Sequence, residues 1–385
     1  MIKSFQYRIY PTKSQQQTME STIETCRRFY NDCLAERKTA YEERGETIGK
    51  FAQLRKVKEL KESNLYAKKI HSHVLQVTVT DLDKAFQAFF RRVNVGENPG
   101  YPRFKGKNRF DSFGFKEYSN GFKLDGRRLK LSGIGRVAVR WHRPMDGKIK
   151  TLRICRKAEK WYASFCCEVD ENPLPKTGKM VGVDVGINSL IVTSNGEIVE
   201  NPKWYRKGQA KLRVLQRRVT RREKGGSNRR KAVHALQIHH EYIANQRKDF
   251  LNKLANELIK NNDLIVIEDL QIQNMVKNQH LSKSILDGGW GYFAQRLSDK
   301  AVETGREVVR LNPAYTSKTC SGCGAIFEDL DLSVRWVECD CGLSMDRDVS
   351  AAIHILDKAI NRDGQSRWKP TWAVAPCVFQ EAVVL

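Results

Sequence analysis

Apolar and polar residues alternate along IKSFQYRIY, residues 2–10, which predicts a strand that Pro11 ends. From Ser14 the period lengthens. Met19, Ile23, Cys26, Tyr30 and Cys33 recur every three or four residues, the spacing of one helix face. Leu75, Val79, Leu82, Phe86 and Phe89 repeat it in a second helix, and the charged stretch from Gln53 to Lys69 reads as helical between them. At Gly96 the texture changes. The turn-rich GENPGYPRFKGKNRF leads into short alternating runs: FDSFGFKE, GFKLDG, RLKLSG, RVAVRW, IKTLRICR and WYASFCCEV. Their close spacing and glycine punctuation predict a small antiparallel barrel. Residues 2–10 supply its first strand, so the helical unit is an insertion between barrel strands.

Pro173–Lys179 reads as a boundary, after which MVGVDVGINSLIVTSNGEIVE breaks into three strands, the third following an Asn195-Gly196 turn. A long polar helical segment runs from about Lys203 to Lys260. LIVIEDL is a buried strand, a helix covers Gly291 to Thr304, REVVRLN is a further strand, and a last helix opens at Asp348. Three strands, helix, strand, helix, strand and helix is the order of an RNase H-like α/β layer.

The composition narrows the partners. With 40% hydrophobic and 9% aromatic residues the chain can build sizeable cores, which excludes wholesale disorder. Lys and Arg number 68 against 44 Asp and Glu, a net charge of +24 that calls for a polyanion. Nucleic acid is favoured over an anionic membrane surface, because no basic amphipathic helix carries an aromatic face. No run approaches the roughly 18 apolar residues of a membrane span, and MIKSFQYRIYPTKSQQ lacks the apolar core of a signal peptide. Six cysteines (Cys26, Cys33, Cys155, Cys166, Cys167, Cys377) are scattered in apolar surroundings and read as reduced, buried residues of a cytoplasmic protein.

Three carboxylates stand where a carboxylate is costly. Asp184 lies inside the apolar MVGVDVG, Glu268 ends LIVIE, and Asp348 opens the last helix, where Ala351 and Ala352 let that helix approach a sheet. If the three converge they repel one another, and divalent cations resolve the repulsion. Mg²⁺ suits such a site, and two ions about 3.5–4 Å apart can activate a water and stabilise the leaving oxygen of a phosphodiester. Asp269 and Asp346 read as caps or neighbours.

The remaining four cysteines form two close pairs, Cys320/Cys323 and Cys339/Cys341, with fifteen residues between them. C-x2-C followed by a tighter C-x-C offers four thiolates, a closed shell and hence a structural Zn²⁺ site. The segment has too few large apolar residues to fold alone, a deficit that zinc binding makes good. From Lys203 to Lys231 Glu223 is the sole acid. This basic stretch, with Arg217, Arg218, Arg221, Arg222, Arg229 and Arg230, reads as a phosphate-tracking surface beside the acids. PRFKGK is a smaller basic turn, with Arg103 and Lys105, where Tyr101 and Phe104 are available for packing or base stacking.

In this order GVDVGINSL, VIEDL, NPAYTSKTCSGCG and CDCGLSMDRDVSAA closely resemble the TnpB proteins of insertion sequences, compact relatives of type V CRISPR nucleases. FQYRIYPTKSQQ, GYPRFKGK and ILDGGWGYFAQRL extend the resemblance over nearly the whole chain. It implies a wedge-like β-barrel over residues 1–12 and 96–172 holding a helical recognition insert at 13–95. A RuvC-like nuclease domain at 173–314 and 345–362 would follow, interrupted by a zinc ribbon at 315–344 and ending in a tail at 363–385. It implies Asp184, Glu268 and Asp348 as catalytic Mg²⁺ ligands and Cys320, Cys323, Cys339 and Cys341 as zinc ligands. A guide RNA from the element's end would direct cleavage of double-stranded DNA beside a short flanking motif, in a prokaryotic, nucleoid-associated setting, with no small-molecule substrate. Two positions depart from the family pattern: Ser350 replaces the usual Asn, and Cys339-Asp340-Cys341 replaces C-x2-C. A guided DNA-binding regulator that does not cut, and a transposase joining element ends, are the alternatives.

Overall fold

The computed structural model describes residues 1–107, 109–328, 330–331 and 334–360. The tail expected at 363–385, with Cys377, lies outside the described residues. The chain divides into two compact units, Met1–Asp170 and a second beginning at Glu171.

In the first unit β1 (Ile2–Tyr10) is followed at once by α1 (Lys13–Arg44). Thr12 and Gln15 form a capping box, each side chain accepting the other's backbone N–H at 3.3 and 3.0 Å, so the helix starts just past Pro11. Helices α2 (Lys50–Ser63), α3 (Leu65–Lys69) and α4 (Ser72–Asn94) complete the helical part. Strands β2 (Ser112–Phe115), β3 (Glu117–Tyr118), β4 (Gly121–Asp125), β5 (Arg128–Leu131), β6 (Gly135–Arg140), β7 (Lys148–Lys157) and β8 (Lys160–Glu168) follow. With β1 they make one sheet in the order β2-β7-β8-β1-β6-β5-β4-β3. All neighbours are antiparallel except β3 and β4. Lys116 alone separates the two edge strands in sequence, so the sheet must curl until its edges meet. Phe5, Tyr7 and Ile9 of β1 and the Met19–Cys33 stripe of α1 enter the same core, so the helices and the sheet share it.

The second unit holds a five-stranded sheet. Its members are β9 (Met180–Val185), β10 (Ser189–Thr193), β11 (Ile198–Glu200), β12 (Leu264–Glu268) and β13 (Glu307–Leu311), in the order β11-β10-β9-β12-β13. The first three are an antiparallel meander, whereas β9, β12 and β13 run parallel. The polar segment read as continuous is two helices, α5 (Trp204–Thr220) and α6 (Ser227–Asn261). Gly225, at φ +90°, makes the turn between them. Two short helices missed by periodicity, α7 (Ile272–Met275) and α8 (Ser282–Gly288), precede α9 (Trp290–Thr304). The DGGW run now has a role: buried Asp287 accepts the Tyr205 N–H at 2.9 Å and satisfies the first turn of α5. Two short strands, β14 (Trp336–Glu338) and β15 (Ser344–Asp346), pair antiparallel, and α10 (Arg347–Ile360) ends the described chain. Among the described residues no helix is long and apolar enough to cross a membrane.

Strand parity decides which side chains face α10. Val181, Val183, Ile265 and Ile267 enter the core formed with α6 and α9. The alternate positions face the other way, where Val266 packs with Leu311 and Ile355 of α10. Gly182 is the point of closest approach: a Cβ there would strike the Ala352 carbonyl oxygen and come within 2.9 Å of Leu356 Cβ. Gly182→Ala should therefore force α10 off β9 and destabilise the unit by about 1–3 kcal/mol, as overpacking does. Urea denaturation would read the shift in midpoint.

Candidate active site and cysteine knuckle

Asp184 has the parity of Gly182, and Glu268 has that of Val266, so both carboxylates belong to the α10 face. Val183 and Ile267 are partners in the parallel β9–β12 register, and the two acids are the next residues along each strand. They thus end adjacent parallel strands, the position where open α/β sheets bind ligands. Asp348 completes the group from the first turn of α10. Burial and then the charges of Glu268 and Asp348 push Asp184 up to about 7. Burial also raises Glu268, opposed by a hydrogen bond from Thr316 and by the charge of Lys358.

Several of the surrounding side chains were not singled out by sequence. Thr316, almost fully buried, donates to Glu268 Oε1. Two guanidinium groups flank Asp348: Arg347 Nη2 lies 3.5 Å from Oδ1, and the half-exposed Arg335 places Nη1 3.6 Å from Oδ2. Arg347 is buried and its Nη1 donates to the Asp331 carbonyl at 3.1 Å. Asp346 is a cap, its Oδ1 accepting the N–H groups of Asp348 and Val349 at 2.8 and 3.1 Å. Asp269 pairs with Arg310 at 3.8 Å on the surface. Buried Ser350 meets Ser321 at 3.0 Å, joining α10 to the first cysteine pair.

The ligand atoms of Cys320, Cys323, Cys339 and Cys341 all lie within 4.8 Å of one another. Sulfur separations are 3.7 Å for Cys320–Cys341 and 3.5 Å for Cys323–Cys339. A tetrahedral zinc ion with bonds of about 2.3 Å requires sulfurs about 3.8 Å apart, so the quartet fits that ion. Each pair turns on a glycine with positive φ, Gly324 at +80° and Gly342 at +89°. In the first knuckle the glycine N–H donates to the Cys320 carbonyl, four residues back. In the shortened second one it donates to Cys339, three back, both at 2.9 Å. Loss of one residue therefore tightens the turn without losing it. Burial opposes ionisation of Cys320, but the amides of Cys323 and Gly322 together with hydrogen bonds from Cys339 and Cys341 outweigh it and bring the thiol down to about 7.

The basic residues divide by role. Arg217, Arg218, Arg221, Arg222 and Arg230 are exposed on the α5–α6 hairpin. Arg213, Arg217 and Arg221, one turn apart, line a groove of about 550 Å³ with Lys283, above Leu212 and Leu236. Arg229 instead serves the hairpin, its Nη1 donating to the carbonyls of Val219 and Arg222 at 3.0 and 3.1 Å. In the first unit Arg103 is exposed, and Lys105 is anchored by its backbone to Asn31 and Arg27. Phe104 is 54% exposed, which leaves its ring open to stacking, whereas Tyr101 lies edge-on to Phe86 and Phe89.

Residues 164–279 match a family described as probable transposase, and residues 290–355 match the Cas12f1-like TNB domain. Residues 1–46 match a helix-turn-helix domain, although the structure builds them as β1 and the single long helix α1. A putative RNA-guided DNA endonuclease of Streptomyces pristinaespiralis is 35% identical over 363 residues, covering 92% of this chain and 88% of the relative. The putative RNA-guided DNA endonuclease InsQ of Escherichia coli K12 is 32% identical over 377 residues and 92% of each chain. The chain belongs to the TnpB family. A solved Cas12f1–sgRNA–target DNA complex shares the fold, with a TM-score of 0.59 at 12% identity over 92% of this chain and 98% of that one.

For this TnpB-family chain the raised Asp184 sets a pH dependence. Its folded value lies above the unfolded one, so without added divalent cation stability should fall as pH rises from about 4 to about 7. Asp184→Asn should flatten that profile in thermal melts. A cation binding the ionised acid displaces the proton, so Ca²⁺ affinity by calorimetry should climb from about pH 5.5 to about pH 7 and then level. Removing Cys320 or Cys341 as serine should abolish bound zinc and open the Thr316–Asp346 segment to limited proteolysis. An unchanged zinc content would refute the four-sulfur site.

Proposed function

We propose that the chain is an RNA-guided DNA endonuclease of a transposable element that hydrolyses phosphodiesters at a RuvC-type site. One observation carries this reading: Asp348, in the first turn of α10, meets Asp184 and Glu268 at the ends of parallel strands, where burial and then the charges of the other two acids push Asp184 up to about 7. Three acids so placed repel one another, and their oxygens suit hard divalent cations. Asp184 and Glu268 from the sheet and Asp348 from α10 would hold Mg²⁺. When bound there, Mg²⁺ activates a water and stabilises the leaving oxygen, most simply as a pair of ions.

The chain's own groups do the rest. Arg335, half exposed beside Asp348, can turn to a non-bridging phosphate oxygen and neutralise the charge that grows on it. Arg213, Arg217, Arg221 and Lys283 offer cations to a nucleic-acid backbone along the α5–α6 groove. Zn²⁺ on the four cysteines would fix the segment that holds Glu268 and α10. The first unit, a curled sheet carrying helices, corresponds in this reading to a wedge-like barrel with a helical recognition insert. The Arg103–Lys105 turn, with Phe104 exposed, would meet nucleic acid there. The guide RNA would come from the element's end and pair with one strand of double-stranded DNA, leaving the protein to read duplex shape and a short flanking motif. The names of the two bacterial relatives support the guided reading, and the setting would be the bacterial cytoplasm and nucleoid.

Expression of the full chain with its flanking element sequence, purification and RNA sequencing provide the test. A discrete co-purifying RNA should direct cutting of matched DNA in Mg²⁺, and Asp184→Ala, Glu268→Gln and Asp348→Ala should each reduce cutting to background while guided binding persists. Cutting that survives Asp184→Ala would sink the three-acid site. Guided binding without cutting by the parent chain would favour a regulator, and strand joining without RNA a transposase.

A further inference from the structure

Glu268 has two carboxylate oxygens, and one of them has a partner from outside the sheet. Thr316 opens the short 3₁₀ turn Thr316–Lys318, ahead of the first cysteine pair, and is 1% exposed. Its Oγ1 contacts Glu268 Oε1 and also lies 2.9 Å from the Pro313 carbonyl oxygen. A hydroxyl carries one proton, so two acceptors compete for it. An ionised carboxylate is the stronger acceptor and takes it. The backbone is bent to deliver this hydroxyl: Tyr315, just before it, has φ +64°, a left-handed conformation unfavourable for a bulky residue. Lys358 of α10 ties the same loop, its Nζ donating to the Ala314 carbonyl at 3.3 Å.

We propose that Thr316 is a positioning residue for Glu268, holding Oε1 by a donated hydrogen bond so that Oε2 is presented to a divalent cation. The inference rests on the preceding reading of Glu268 as a cation ligand. A carboxylate with one oxygen engaged binds through the other alone, which leaves coordination positions for water and phosphate. It also denies Glu268 the rotamers that would turn it away from Asp184. Valine matches threonine in shape and lacks the hydroxyl, whereas serine keeps it.

The test compares Thr316→Val, Thr316→Ser and Glu268→Gln in the RNA-loaded protein. Cutting is measured against Mg²⁺ concentration, and Mn²⁺ binding by calorimetry without DNA. Thr316→Val should raise the half-saturating concentration of both ions about tenfold or more, the usual effect of losing an outer partner of a metal ligand. Guided DNA binding should not change, Thr316→Ser should stay close to the parent, and Glu268→Gln should neither cut nor bind Mn²⁺ at the site. If Glu268→Gln still cuts and binds Mn²⁺, the reading of Glu268 fails. If it does neither while Thr316→Val matches the parent, the positioning role alone is overturned. Equal losses in the valine and serine variants, with guided binding lost too, would assign Thr316 to holding the loop and overturn the role as well.

Discussion

Repulsion among Asp184, Glu268 and Asp348 is the constraint on which the second unit depends. Each acid comes from a different element, and each is partly withdrawn from water, where like charges are felt most strongly. Left alone, such a group would lower its energy by drifting apart or by staying protonated. Drifting apart is not open here, and protonation is taken chiefly by Asp184, which is pushed up to about 7. Asp184 and Glu268 are fixed by a parallel register between two strands with buried interiors, and Asp348 is fixed by a helix that lies against Gly182. The compensation comes instead from neighbouring cations and donors: Arg335 and Arg347 at Asp348, and Thr316 and Lys358 at Glu268. At Asp184 burial, and then the charges of Glu268 and Asp348, outweigh the Val185 amide and the Arg347 charge, which leaves it at about 7.

Much of this arrangement was legible in the chain, for definable reasons. The strands and long helices announce themselves by period, and an acid inside MVGVDVG or at the end of LIVIE contradicts its own apolar surroundings. Ala351 and Ala352 correctly indicate a helix close to a sheet: both are buried, and Ala352 lies over Gly182 of β9. What periodicity cannot supply is the partner across the gap. Gly182 looks like any small residue of a buried strand until Ala352 is seen above it. The break at Gly225 was hidden because polar helical texture continues on both sides of it. Phe104 was undecidable, since an aromatic residue in a basic turn suits a core and a stacking surface equally. Arg335 and Thr316 carry no local signal at all: arginine before a strand and threonine after a proline turn are ordinary until the fold brings them to Asp348 and Glu268.

The place of the cysteine segment follows from the same constraint. Glu268 and Asp348 are distant in sequence, and the stretch between β13 and α10 touches both. It does so from its two ends. The incoming end, Pro313–Lys318, meets Glu268 through Thr316, while the outgoing end supplies Asp346 as the cap of α10. Such contacts orient charged groups only if the loop holds one conformation. A segment with few large apolar residues cannot secure that by burial, and four convergent thiolates offer another route.

Ser350 shows how closely the two sites are joined. The family pattern expects a longer asparagine here, and a short hydroxyl would leave a buried polar position unanswered unless something came to meet it. Ser321, between the first two cysteines, does so at 3.0 Å. The knuckle thus reaches α10 two residues beyond Asp348, in the same turn. Because Ser350 is buried, the contact also fixes how near the cysteine pair must stand to the helix. Through this contact the position of the first cysteine pair is tied to the turn of α10 that carries Asp348.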